Sequence, residues 1–202
     1  MMGKYGKLMA VICLCTLLLA GCGVAKVPDT VDKPSVAVNK EGEVTVWQVG
    51  LFDKAEYVLS ELQAMATEEA GRFNSSVGKS AAVAVENVEA LEDGSGKVVV
   101  AYRFDGWESA SDFLEENLFF GGAADAALKG RTAGMAVKSV KDGSELSEDM
   151  LRTAEGSVLI TDMKGNIYCP GKVTHISEGL TVNPDGSIDT SAAEGTVCIL
   201  YQ

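Results

Sequence analysis

His175 is the only histidine in the 202-residue chain, so a Ser-His-Asp triad, a Cys-His pair or a multi-histidine metal site would have to pass through it. It stands in Lys172 to Ile176, which reads as a strand, where a structural or exposed ring is the simpler expectation. Cys169 and Cys198 could join it as zinc ligands, yet neither a metal nor a cofactor is expected. Glu68-Glu69 and Glu115-Glu116 offer paired carboxylates, but glycoside hydrolysis needs two at a defined separation, and adjacent residues on a helix diverge. With 29 acids in the chain no pair stands out, so no catalytic residue is assigned and a solvated face is expected.

Loop chemistry fares no better. Gly78-Lys79-Ser80 resembles the end of a phosphate loop, but Phe73 occupies the place of its first glycine and the segment follows a helix. Gly94-Ser95-Gly96-Lys97 has Leu91 for that glycine and Val98 for the hydroxyl. Asn183-Pro184-Asp185-Gly186-Ser187-Ile188-Asp189 alternates oxygen donors around a glycine as a calcium loop does, and Glu194 falls on position twelve if Asn183 is position one. Proline at position two and small residues beyond it depart from that motif, and a hairpin turn is expected.

The chemistry best marked in the sequence is at Cys22. Met1 to Lys7 carries Lys4 and Lys7 and no acid, and Leu8 to Gly21 is apolar apart from Thr16. At ~1.5 Å per residue that run spans about 21 Å, short of a ~30 Å hydrocarbon core, so a cleaved export signal is the reading rather than a membrane span. Leu19-Ala20-Gly21-Cys22 resembles the lipobox of bacterial lipoproteins, which implies cleavage before Cys22 and a diacylglyceryl group on its thiol. Two or three acyl chains at ~0.8 kcal/mol per buried methylene would hold the protein on a membrane without help from its surface.

Residues 1–21 are thus expected as signal peptide, 22–42 as lipidated cysteine and flexible tether broken by Pro28 and Pro34, and 43–202 as one domain. Seventeen basic against 29 acidic residues give a formal charge of −12, and cleavage removes two lysines and no acid. Such a surface repels phosphates, so nucleic acid is not expected as a partner. Cys13 and Cys15 leave with the signal, and Cys169 and Cys198 remain either as a disulfide, worth ~3 to 4 kcal/mol in the chain-entropy model, or as two buried free thiols.

The elements that must position these groups read as α+β. Glu43 to Gly50 suits a strand, and Asp53 can cap a helix over Lys54 to Phe73 whose Ala55, Val58, Leu59, Leu62, Met65, Ala66 and Phe73 share a face. Valine-rich Ala81 to Leu91 and Lys97 to Asp105 flank Asp93-Gly94-Ser95-Gly96 and predict a hairpin, with Val98, Val100, Tyr102 and Phe104 inward and Arg103 outward. A capping-box-like start at Asp105 and Glu108 opens a second helix, expected to end near Gly121-Gly122. A short helix over Ala123 to Lys129 and a strand over Met135 to Lys141 follow. That order suggests an antiparallel sheet with two main helices on one face, in the βαββαβ manner of ferredoxin-like sandwiches, over residues 43–141. Residues 157–202 read as a strand-rich part with six short strands, Val158 to Asp162, Ile167 to Cys169, Lys172 to Ile176, Leu180 to Val182, Ser187 to Asp189 and Val197 to Tyr201. Trp47, Tyr102, Phe104, Trp107, Phe119 and Phe120 are expected in the core, with Phe119-Phe120 as the candidate for an exposed contact loop.

Phe52-Asp53-Lys54-Ala55-Glu56-Tyr57, Phe73-Asn74, Leu118-Phe119-Phe120-Gly121-Gly122-Ala123-Ala124-Asp125-Ala126 and Pro170-Gly171-Lys172-Val173 together resemble a family of uncharacterised bacterial lipoproteins. The resemblance implies a lipid-anchored extracytoplasmic domain and carries over no functional residue. Cys169 here precedes Pro170 where the resemblance would place an apolar strand residue. The expectation is a noncatalytic binding or interaction domain for a protein, peptide or cell-wall partner, held on the outer face of a cell membrane through Cys22. A small envelope hydrolase using carboxylates or His175 is the rival, and a solute-binding lipoprotein the third reading.

Overall fold

Short β-branched runs between Asp-Gly, Asn-Pro and Pro-Gly punctuation become strands in the computed structural model, which describes residues 25–202. The segment expected as signal peptide, residues 1–21, and Cys22 lie outside the described residues. In chain order the elements are β1 (Ser35–Val38), β2 (Val44–Leu51), α1 (Leu59–Val77), β3 (Val83–Ala90), β4 (Lys97–Phe104), α2 (Trp107–Leu114), β5 (Leu118–Gly122) and α3 (Ala123–Leu128). There follow β6 (Val137–Ser139), β7 (Glu145–Leu146), α4 (Glu148–Leu151), β8 (Ser157–Thr161), β9 (Asn166–Tyr168), β10 (Val173–Ile176), β11 (Thr181–Val182), β12 (Ile188–Asp189) and β13 (Val197–Tyr201).

The fold is α+β, as the sequence leads one to expect. Its strands form a seven-stranded sheet in the order β11-β12-β9-β1-β2-β4-β3 and a six-stranded sheet in the order β5-β8-β13-β10-β6-β7. Three of the short turns are built on the same tripeptide, Asp93-Gly94-Ser95, Asp142-Gly143-Ser144 and Asp185-Gly186-Ser187. In each the aspartate Oδ1 accepts the serine N–H, at 2.8, 3.1 and 3.0 Å, and the glycine holds a positive φ.

The ferredoxin-like order is corrected by this topology. β6 does not return to the sheet of β2, β3 and β4, but pairs with β10 and β7 in the second sheet. Nor do residues 43–141 and 157–202 form separate parts, because β9 and β12 extend the first sheet while β5 and β6 extend the second. Part of the segment expected as tether, 22–42, is strand instead. Pro34 is followed by four small or β-branched residues, and β1 gains two ladders at once, antiparallel to β2 and parallel to β9, with Ser35, Val36 and Val38 buried.

Two helix boundaries move for identifiable reasons. Phe52 N–H is bonded to the Gly96 carbonyl at 2.7 Å and its ring lies 5.0 Å from Tyr57, so residues 53–57 are spent on a turn. Asp53 therefore caps nothing, and α1 begins at Leu59 behind Val58, with no side-chain cap. In α2 the capping box does not form, because Asp105 pairs with Lys79 at 2.9 Å. That helix stops at Glu115, in the left-handed region with φ +55°, and Leu118 to Gly122 become a strand on β8 instead of continuing to Gly121-Gly122.

The first sheet's inner face carries Val36, Val44, Val46, Val83, Val100, Tyr102 and Phe104, covered by α1 through Ala66 and Ala70. Phe113 of α2 meets Phe73 edge-on at 5.3 Å and lies 5.2 and 5.5 Å from Tyr102 and Phe104, so both main helices share that face. The same core takes in Leu118, Leu159, Ile199 and Tyr201 from the second sheet. The reverse of the second sheet buries Val158, Ile160, Cys198 and Leu200 against Ala126 and Ala127 of α3 and Leu151 of α4. Each fully buried aliphatic side chain contributes ~1.5 to 3 kcal/mol, and β13, buried on both faces, is the sheet's centre. On the first sheet's outer face Arg103 meets water and bridges Glu43 and Glu86. Val99 and Ala101 on that face are nonetheless 3 % and 4 % exposed, flanked across the ladders by Val49 and Glu89 and by Trp47 and Asn87.

Candidate functional site

His175 sits on β10 between Leu200 of β13 and Ser139 of β6, half-buried. Its Nδ1 lies 3.1 Å from the Thr174 hydroxyl, and no carboxylate or cysteine is recorded in hydrogen-bonding contact with the ring among the described residues. No group of three or more His, Cys, Asp or Glu among the described residues is placed to hold a metal ion.

Cys169 and Cys198 are both free and buried, and the strand pleat shows why they do not pair. Cys169 packs in the core between the sheets, close to Tyr201 of β13. Cys198 is on β13 three residues before Tyr201 and so points to the opposite face, into the core under α3 and α4. A bridge would require β13 to turn over. Burial pushes both thiols up to about 12, which keeps them protonated and inert at neutral pH.

The loops that invited phosphate or calcium readings are occupied with their own backbone. Gly78 ends α1 in the left-handed region, donating to the Asn74 and Ser75 carbonyls. Asp185 Oδ1 accepts both the N–H and the hydroxyl of Ser187, and Asn183 exchanges backbone bonds across the β11–β12 hairpin. Asp142 is held down to about 2 by the Ser144 hydroxyl and N–H and by Ser139. Glu68, Glu69, Glu115 and Glu116 are exposed.

Of the six aromatics, Tyr102, Phe104 and Phe119 are buried, while Trp47, Trp107 and Phe120 are half-buried. Phe119-Phe120 is strand rather than loop. Phe120 opens onto a groove of about 620 Å³ between the β1–β2 turn and the end of β13. Asn39, Lys40 and Gly42 form one wall, Phe120 and Gly121 another, and Ser157, Pro170, Gly171, Tyr201 and Gln202 the floor. At Gly171 an added Cβ would lie 2.5 Å from the Gln202 carbonyl oxygen, and the Lys172 and Gln202 backbones exchange two hydrogen bonds at 2.7 and 2.9 Å. The floor is therefore fixed before any ligand arrives. Burial pushes the Tyr201 hydroxyl up to about 12, so it stays a neutral donor. Among the described residues, Lys40 is the one charged side chain in the lining, on a chain of formal charge −12.

A smaller cleft of about 330 Å³ beside Trp47, Leu114 and Met163 includes Asp162, which already accepts the Asn117 N–H. Composition alone could not single out the groove, because its walls come from five separate turns and strand ends. Phe120 was its one visible signal in the sequence.

Comparison with family models, curated proteins and solved structures gives no match. Function therefore has to be argued from the groove and from the N-terminal sequence. Among the described residues, no helix is long and apolar enough to cross a membrane.

Proposed function

We propose that this chain is a noncatalytic binding domain, fastened through lipid on Cys22 to the extracytoplasmic face of a cell membrane, that holds its partner in the Phe120–Tyr201 groove. The groove's construction carries the reading. An aromatic wall at Phe120 and Tyr201, the Lys40 side chain and a backbone floor pinned by close packing match the features of sites that hold ligands, namely preformed apolar surface with a polar group at its edge, while the Asn39 amide is already held by Glu43. The anchor rests on Leu19-Ala20-Gly21-Cys22 and the basic, then apolar, residues before it. From Cys22 to Ser35 at the start of β1 the chain is a short lead, which keeps the domain close to the surface that bears it.

Two measurements test the two halves separately. Mass spectrometry of the protein from its native membrane should find Cys22 at the N-terminus, carrying acyl groups, and an unmodified Cys22 behind Met1 overturns the anchor. Full-length protein in detergent should bind a component of envelope extracts saturably, and Gly42→Trp, which fills the groove against Phe120, should abolish that binding, whereas Gly42→Ala, which shares the strain of φ +88° without the bulk, should retain it. Saturable turnover of a component, or binding indifferent to Gly42→Trp, overturns the groove.

A further inference from the structure

Phe119 and Phe120 point to opposite faces of β5, and on the face away from the groove three layers are stacked. Gly121 forms the base, since a Cβ there would lie 2.9 Å from the Phe119 ring. The Phe119 ring is the middle layer, with Trp107 edge-on to it at 5.1 Å. Arg131 is the top layer, its guanidinium carbon 4.3 Å from the Phe119 centroid and 4.9 Å from that of Trp107. The backbone beneath is tied down, because Arg131 N–H bonds the Ala126 carbonyl at 2.9 Å and Thr132 is fully buried.

The Phe119 and Trp107 rings stand at 71° to each other and bracket the guanidinium from two sides, and a cation held by ring faces makes no hydrogen bond to them, so its N–H donors stay available. Among the described residues, no carboxylate lies within ion-pair distance of Arg131 and its side chain donates no hydrogen bond; Arg72 is likewise unpaired, whereas Arg103 and Arg152 are paired, and of the two unpaired arginines it is Arg131 that lies over aromatic rings. Arg131 itself is exposed. We infer that Arg131, on its Phe119–Trp107 shelf, is a docking point for a single carboxylate carried on an apolar body, as at the C-terminus of a peptide. The fork of N–H donors matches a carboxylate bidentately, and the rings hold the fork in place, so little freedom is lost on binding. A formal charge of −12 opposes an incoming dianion more than a monoanion, which selects against phosphate. The apolar body follows from half-buried Trp107, whose ring centroid lies 4.9 Å from the guanidinium carbon.

The test uses full-length protein bearing Trp47→Phe, so that emission reports Trp107 alone, titrated in parallel with N-acetyl-leucine, N-acetyl-leucinamide and inorganic phosphate. N-acetyl-leucine should change the emission saturably and the amide should not, with phosphate binding more weakly. Arg131→Ala should weaken the response to N-acetyl-leucine on the order of tenfold or more, the effect of one charge-assisted pair. Arg131→Lys keeps the charge but loses the fork, and should also weaken it. An equal response to the amide, phosphate binding as tight as the carboxylate, or an Arg131→Lys variant indistinguishable from the parent overturns the inference. The ligand comparison needs no variant at position 131, so it decides even if Arg131→Ala fails to fold.

Discussion

Replacing Gly165 by alanine should be among the most damaging single changes available in this chain. Gly165 has φ +134°, and a Cβ built there would lie 1.9 Å from the Pro34 carbonyl oxygen and 2.6 Å from the Pro34 carbonyl carbon. Pro34 cannot simply retreat, because that same oxygen accepts the Asn166 N–H at 3.0 Å, the bond that starts the parallel β1–β9 ladder. Moving it far enough to clear a methyl group breaks that bond and displaces the entry into β1. An unfavourable φ costs ~1 to 3 kcal/mol, overpacking ~1 to 3 and the lost hydrogen bond ~0.5 to 1.5, which together come to roughly 2.5 to 7.5 kcal/mol. Against a typical ~5 to 15 kcal/mol for a whole domain, that is a large share. Gly179→Ala is the matched control, since Gly179 also has positive φ, at +81°, but nothing within 4 Å of the added carbon. Equilibrium urea unfolding of both variants, followed by tryptophan emission, separates the contact from the backbone strain. If Gly165→Ala costs no more than Gly179→Ala, the argument that Pro34 is held in place by the β1–β9 pairing is wrong.

Other outcomes follow from the same geometry. Thr190→Val should cost ~1 to 3 kcal/mol in urea unfolding, because the buried Thr190 hydroxyl accepts the Gly165 N–H at 3.1 Å and donates within reach of the Met163 carbonyl at 2.8 Å, and valine leaves the N–H unsatisfied. Stability should fall as pH rises from about 9 towards 12. Burial raises Cys169 and Cys198 to about 12 from 9.0, and Tyr102 and Tyr201 to about 12 from 10.0, so the unfolded chain releases these protons first; thermal melts between pH 8 and 11 that show no decline would refute it. Both thiols should be alkylated only after denaturation, whereas an intact mass two hydrogens lower in non-reduced native protein would show that the two faces of β13 are misassigned.

How much of this was readable beforehand depended on sequence distance. The β3–β4 hairpin was legible because alternating valines and Asp93-Gly94-Ser95-Gly96 specify both strands and their turn locally, and the six C-terminal strands were legible from their punctuation. The start of α1 was not, because the bond from Phe52 to Gly96 and the Phe52–Tyr57 contact outbid a capping aspartate. β1 resembles tether in the sequence because Ser35-Val36-Ala37-Val38 alone is too short to signal a strand, and what makes it one is pairing on both edges, with nearby β2 and with β9 far along the chain. β5 was read as the end of a helix for a similar reason, since its partner β8 lies beyond two helices and two strands. Of the candidate site only Phe120 stands out in the sequence. Arg131 carried no signal, because nothing local to it announces that Phe119 and Trp107 will meet beneath it.

The parallel pairing of Val36 with Ile167 has a consequence for how the molecule is made. A ribosome delivers β1 near the beginning and β9 near the end, and distant pairings of this kind are slow to form. Until the late strands emerge, one of β1's two hydrogen-bonding edges has no native neighbour, and the first sheet consists of β1 to β4 alone. Completion must therefore wait for nearly the whole polypeptide, and in the meantime that open edge is a template for pairing with other chains.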